Sequence, residues 1–286
     1  MEIKYIVQQN TITVRDFLQQ EGFSRTFRKK VRVQDMIFLG DKPLRNHDIL
    51  HEGDHIAIRI DEALNPNFLP STSDLEVLYE DPYLLIINKP SGVSSQPSRK
   101  HQMDNVVSMV AKYYQDQAIQ TNIHIVTRLD YRTTGIMIIT KSGPLQKMLT
   151  EKFIEKKYLC WIVGVLDPLE GMIDYPIESK KTHDIRRWVG SNGQKALTKY
   201  RTLLEEKGKS LLEVELLTGR THQIRVHMAY LGHPVLGDNL YSNQEENLHL
   251  HCYEVAFVHP ITHEKITITR LPLWLQDQDI SHLIRK

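Results

Sequence analysis

Two stretches of the chain concentrate residues able to do chemistry. The first is Ile125-Val126-Thr127-Arg128-Leu129-Asp130-Tyr131-Arg132-Thr133-Thr134-Gly135-Ile136-Met137-Ile138, in which two apolar runs enclose a turn of charged and hydroxyl residues. Asp130 is thereby expected at a strand end with cations on both sides. Neighbouring positive charge holds a carboxylate ionised, which is the state a carboxylate nucleophile requires. The competing reading is a loop aspartate that caps its own turn through Thr133 or Thr134. The second stretch is Thr218-Gly219-Arg220-Thr221-His222-Gln223-Ile224-Arg225-Val226-His227-Met228, where Arg225 borders the apolar positions of a helical pattern.

Two histidine clusters raise metal chemistry and do not sustain it. His51-Glu52-Gly53-Asp54-His55 has the form H-E-x-x-H, which binds zinc only where both imidazoles share one face of a helix. Here Gly53-Asp54 is a turn pair followed at once by strand alternation, so a zinc hydrolase is kept as a remote alternative. His249-Leu250-His251-Cys252 has suitable ligand types, but no second cluster supplies the rest of a ligand set. It reads as a strand with partly buried histidines. With no G-x-S-x-G, P-loop or G-x-G-x-x-G pattern, phosphate cradles and nucleotide cofactors lose support.

The elements that must position these residues follow from composition and periodicity. The chain has 286 residues, 41% hydrophobic and 25% charged, enough apolar material for two folded units. Its net charge of +1 gives no global basic field, so a nucleic-acid footprint would be local. Cys160 and Cys252 are its only cysteines, too few for a disulfide framework or a four-cysteine zinc site. No apolar run approaches the roughly 18 residues of a membrane span, and the N-terminus turns polar too soon for a signal peptide. A cytoplasmic protein with no membrane partner is expected.

Residues 1–60 read as a small module in the order helix, helix, strands. Thr13 caps a first helix that stops at Gly22, and a second starts after Ser24. The second is basic, with Arg25, Arg28, Lys29, Lys30 and Arg32 in eight residues. A Pro, Asn and Ser-rich stretch, 61–74, reads as a linker. In 75–286, strands are expected at 84–88, 123–126, 136–140, 158–165, 195–203 and 211–217, the last two as a hairpin across Lys207-Gly208-Lys209. A helix opens at Ser142-Gly143-Pro144 with Leu145, Met148, Leu149 and Phe153 as its stripe. Another follows Gly219, with Ile224, Met228 and Leu231 at helical spacing, and stops at Gly232. Too few helices separate the strands for a doubly wound sheet, so the fold class is α+β with a mixed, mostly antiparallel sheet.

Arg128-Leu129-Asp130 through Gly135, followed by Gly219-Arg220-Thr221-His222-Gln223-Ile224-Arg225-Val226-His227, resembles the RluA-type pseudouridine synthase family. Its hallmarks are H-R-L-D-x-x-T-S/T-G and G-R-T/S-H-Q-L/I-R-V-H. Ile87-Asn88-Lys89-Pro90-Ser91-Gly92, Lys157-Tyr158, Gly232-His233-Pro234-Val235-Leu236-Gly237-Asp238 and Leu250-His251 match further motifs in the family's order. The resemblance covers 75 to about 270. Thr127 stands where the family usually has His, a change expected to bear on loop packing or substrate choice. Residues 1–60 are similar, more loosely, to the alpha-L RNA-binding module, with Asp35 and Gly40-Asp41 in place of its usual Gly and Asn-Gly.

The resemblance implies isomerisation of uridine in structured RNA, rRNA ahead of tRNA, with no cofactor or metal. It assigns Asp130 as the catalytic carboxylate, Arg225 as the cation paired with it, and Tyr158 as a ring against the target base whose hydroxyl could move the proton from carbon 5. Arg128 matches the residue that fills the gap left by a flipped base. The module's Arg25, Arg28, Lys29, Lys30 and Arg32 would bind RNA, and Lys180, Lys181, Arg186 and Arg187 form a second basic cluster. A monomer is expected. The alternative from another class is a catalytically inactive RNA-binding protein.

Overall fold

Among the described residues strands outnumber helices, and most of them pair into two principal sheets. The computed structural model describes residues 1–31, 33–99, 101–179, 184–242, 244, 247–275 and 281–284. The first 60 residues build a four-stranded antiparallel sheet in the order Glu2–Ile6, His55–Arg59, Ile37–Leu39, Lys42–Pro43. It is accompanied by α1 (Val14–Gln20) and α2 (Arg25–Val31). Thr13 caps α1 as expected, accepting from the Asp16 amide at 3.2 Å. The expected order is corrected, because strands Glu2–Ile6 and Thr11–Thr13 precede α1. Glu2–Ile6 has one fully buried side chain, Ile3, too weak a period for recognition, and is held by a partner strand far along the chain.

The H-E-x-x-H segment is a strand, a turn and a strand: His51 ends Ile49–His51, Gly53 turns at φ +86°, and His55 opens His55–Arg59. The two imidazoles therefore lack the shared helical face that zinc needs.

The large sheet has the order Glu170–Asp174, Leu197–Glu206, Lys209–Leu216, Glu155–Val163, Leu250–Val258, Thr134–Thr140, Leu84–Lys89, Glu76–Glu80. Among the described residues its strands pair antiparallel, except that Thr134 and Gly135 run parallel to His251 and Cys252. The expected hairpin joins Leu197–Glu206 to Lys209–Leu216. Helix α3 (Val106–Asp116) was not legible in the sequence. Its β-branched, apolar start reads equally as strand, and the deciding feature is Asn105, whose side chain accepts from the Ser108 amide at 2.9 Å.

Helix α4 (Gly143–Thr150) buries Leu145, Met148 and Leu149. Phe153 is not on its stripe: it lies beyond the helix end and is 59% exposed. Ser142 stands at the cap position but makes no capping hydrogen bond. The Gly143 amide instead donates to Glu62, at 3.1 Å to Oε2, and the same carboxylate meets His124 Nε2 at 2.6 Å. Residues 61–74 hold no regular element, yet Glu62 fastens them to α4. Leu145 and Met148 also complete the core of the first 60 residues, packing with Phe17, Leu18, Phe23 and Ile56. No helix among the described residues is long and apolar enough to cross a membrane.

Candidate active site

The turn carrying Asp130 is held from below. The buried Ser95 hydroxyl donates to the Leu129 carbonyl at 2.6 Å and accepts from the Leu129 amide at 3.1 Å. Leu129 is buried while Arg128 points to solvent. The Thr133 amide closes the turn on the Asp130 carbonyl at 3.1 Å, and the Thr134 hydroxyl pairs with His251 Nδ1 at 2.7 Å. The turn thus closes through backbone at Thr133 and through His251 at Thr134, not on the Asp130 carboxylate. Gly135 is required where it stands: at φ +115° a Cβ would lie 2.3 Å from the Cys252 carbonyl oxygen of the parallel strand. Thr127 is buried, its Oγ1 accepts from the Ile138 amide at 2.9 Å, and it also lines the same cavity as Asp130.

Helix α5 (Gln223–Tyr230) brings the second stretch against this turn. Gln223 secures its start, with Oε1 accepting from the Thr218 hydroxyl and the Arg220 amide and Nε2 donating to Leu197 O and Thr198 Oγ1, all at 2.9 Å. Arg225 is buried and reaches Asp130, Nη1 to Oδ2, at 3.6 Å. The expected pairing with Asp130 is present, and a second carboxylate is held more tightly. Nε and Nη2 donate to Asp238 Oδ2 and Oδ1, both at 2.7 Å, and Asp238 is fully buried. A bidentate pair of this length outranks a 3.6 Å contact. Burial pushes the Asp238 carboxyl up, but the Arg225 guanidinium overcomes this and holds it below the usual carboxylate range. His222 Nε2 stands 3.9 Å from Asp130 Oδ2, while its Nδ1 meets the Tyr241 hydroxyl at 2.9 Å. Burial lowers the His222 pKa.

Asp130, Tyr158 and Arg225 all line one open cavity of about 540 Å³, together with Arg128, Lys152, Phe153, Lys156, Arg220 and His222. The structure therefore brings together the four catalytic-domain residues singled out from sequence. Tyr158 is buried beside the Cys252 thiol, and burial drives its phenol well above the ordinary value, so it stays protonated at neutral pH. Lys89 is fully buried, donating to the carbonyls of Pro90 and Val93 at 2.8 Å and of Tyr131 at 3.2 Å. Burial lowers its ammonium to about 7 against the pull of Asp130.

Sequence reasoning assigned no role to Asp238, Lys89, Ser95, His222 or Tyr241. Lys89, His222 and Asp238 did lie within matched motifs, which was the available signal. Ser95 gave none, because its contact with Leu129 exists only after folding.

Arg25, Arg28, Lys29 and Lys30 are not among the residues that line the cavity. Arg25, Lys29 and Lys30 are exposed, whereas Arg28 folds back onto the Gln19 side chain. Arg32, Lys180 and Lys181 lie outside the described residues. Arg186 is engaged by Asp184 at 2.8 Å, and the Arg187 amide donates to the Tyr241 hydroxyl at 2.8 Å. Both ring nitrogens of His251 are occupied, by Thr134 and by the Arg270 carbonyl at 2.8 Å. No group of three or more potential metal ligands occurs among the described residues.

The sheet and its cavity correspond to a known architecture. The solved structure of Human RNA Pseudouridylate Synthase Domain Containing 4 is similar with a TM-score of 0.58 and 26% identity, covering 70% of this chain and 89% of that one. The fold is that of pseudouridine synthases. Residues 83–230 match the family model described as RNA pseudouridylate synthase. The chain is 32% identical to the Bacillus subtilis RNA pseudouridine synthase YjbO, over 96% of this chain and 99% of that one. It is also 32% identical to ribosomal large subunit pseudouridine synthase D of Borreliella burgdorferi, over 82% and 74%. The chain belongs to the RNA pseudouridylate synthase family, in its RluA-type branch, and is a pseudouridine synthase.

Proposed function

We propose that this enzyme isomerises uridines in ribosomal RNA, with Asp130 as the catalytic carboxylate. The observation that carries the reading is the Asp130 turn, clamped by Ser95 through Leu129 and facing the cavity with Arg225 Nη1 at 3.6 Å. The reaction breaks the bond from C1′ to N1, forms one from C1′ to C5, removes the C5 proton and leaves a proton on N1. Nothing is oxidised and no atom is gained, so no cofactor or metal is needed. Asp130 attacks the nucleoside to free the base for rotation. Arg225, oriented by Asp238, keeps that carboxylate charged and aimed. The Tyr158 ring packs on the base, and its protonated hydroxyl serves as a relay for the C5 proton.

A paired uridine reaches the cavity only by leaving its stack, at a cost of a few kcal/mol. Arg128, exposed at the rim two residues before Asp130, is suited to fill the vacated space and bind phosphate. Arg25, Lys29 and Lys30 of residues 1–60 add phosphate contacts, with Arg28 and Arg32 as the segment's other cations, in an alpha-L-like module joined through 61–74 to a catalytic domain of 75–286. The enzyme acts as a monomer in the cytoplasm.

The test is Asp130→Asn, assayed by tritium release from C5-labelled uridine in ribosomal RNA. Turnover is abolished while RNA binding changes little, because the amide keeps the shape and loses the charge. Turnover within tenfold of wild type would sink the assignment.

A further inference from the structure

Five cationic side chains line the cavity besides its histidine: Arg128, Lys152, Lys156, Arg220 and Arg225. Four are accounted for. Arg128 and Lys152 are exposed and hydrated, Arg220 Nε donates to the Lys195 carbonyl at 2.9 Å, and Arg225 is committed to Asp238. Lys156 differs. It is half-buried on the strand Glu155–Val163, two residues before Tyr158, and among the described residues its ammonium makes neither an ion pair nor a hydrogen bond. Among the described residues no carboxylate balances it: burial lowers its pKa, and the Cys252 thiol acts in the other direction. A cation withdrawn from water without a partner is costly, and proteins retain one where a ligand supplies the missing charge.

The surroundings leave that place open. The Lys156 ammonium stands against Gly219, where a Cβ would lie 3.7 Å from Nζ. Glycine therefore keeps any side chain from covering the approach. The only anionic groups an RNA substrate carries are its phosphodiesters, and a compact ammonium on a flexible stem suits a single phosphate oxygen. We propose that Lys156 anchors the backbone phosphate adjoining the target uridine, fixing the position of the flipped nucleotide in the cavity. This rests on the isomerase reading above. Lys156 binds the nucleotide beside the reacting centre and takes no part in bond making, so its loss falls on KM.

The experiment uses an RNA oligonucleotide containing a uridine that the full-length wild-type enzyme converts. Single neutral methylphosphonate linkages are placed 5′ or 3′ of that uridine. For one of the two, wild-type kcat/KM falls by about 10- to 100-fold, the range for a hydrogen bond to a charged group. Lys156→Gln loses a similar factor on unmodified RNA, chiefly in KM, and is indifferent to that linkage. Its log–log salt slope is shallower by about 0.7 to 0.9, one phosphate contact. Lys156→Arg recovers both affinity and linkage sensitivity. Equal wild-type rates with all three RNAs overturn the proposal without recourse to any variant, as do losses from variant and linkage that multiply independently. A wild-type enzyme that converts no uridine in any RNA would instead refute the isomerase reading.

Discussion

Asp238→Asn isolates the charge that orients Arg225. Asparagine keeps the shape of the side chain and an oxygen for the amides of Leu240 and Tyr241, which donate to Asp238 Oδ1 at 2.9 and 3.3 Å. It removes the negative charge from a bidentate pair whose two hydrogen bonds are both 2.7 Å. Leaving a buried guanidinium without its main partner costs about 3 to 5 kcal/mol. At about 2 °C per kcal/mol for a chain of this size, the melting temperature at pH 7 falls by about 6 to 10 °C. The pH dependence has a definite sign. Burial raises the Asp238 pKa, Arg225 lowers it more, and the folded value lies below the ordinary 3.8. Its stabilisation is therefore complete above the unfolded pKa and lost as pH falls through the folded one, so the two melting curves converge below about pH 4. Activity suffers separately. Released from Asp238, Arg225 closes its 3.6 Å gap to Asp130 and holds the charged carboxylate in a tighter hydrogen bond that must be loosened before it can attack. Turnover drops by about 10- to 100-fold, corresponding to about 1.5 to 3 kcal/mol of new ground-state hydrogen bonding. Thermal melts from pH 3 to 8 and single-turnover tritium release measure both. A variant that melts within about 1 °C of wild type at pH 7 and turns over at the wild-type rate would refute the Asp238–Arg225–Asp130 arrangement.

Tyr158→Phe separates ring from hydroxyl: turnover falls by about 10²-fold or more with unchanged RNA affinity if the phenol relays a proton, whereas near-normal turnover reduces Tyr158 to a stacking surface. Replacing the exposed Arg25, Lys29 and Lys30 by alanine flattens the salt dependence of RNA binding by about two to three units while leaving turnover at saturating RNA intact; parallel salt plots of equal height would show that these residues do not touch phosphate. Deleting residues 1–60 has a further cost, because it uncovers Leu145 and Met148 of α4, each worth about 1.5 to 3 kcal/mol when buried; a truncated enzyme as stable in urea as the full chain would count against the shared core.

The two stretches rich in reactive residues, the hairpin, the start of α1 and the stop of α5 were legible in the sequence because each depends on residues within a turn or two of one another. Thr13 caps the helix that follows it, and Lys207-Gly208 turns between strands of matched alternation. The strand Glu2–Ile6 was hidden, since a single buried isoleucine gives no period until its partner strand is present. Helix α3 was hidden by β-branched residues that suit either state, and the end of α4 by Phe153, whose apolar character mimics a core position although it faces the cavity rim. Charge pairing was the least predictable. The family resemblance put Arg225 and Asp130 in one site, but could not show that Asp238 would arrive closer and in bidentate geometry. Nor could it show that Glu62 would cap α4 in place of Ser142, or that Lys156 would be left without a counter-charge. Periodicity, caps and turns act locally and are written in neighbouring residues. Which charges meet inside a cavity depends on how separate segments are brought together and how much water they exclude, and only the tertiary structure decides that.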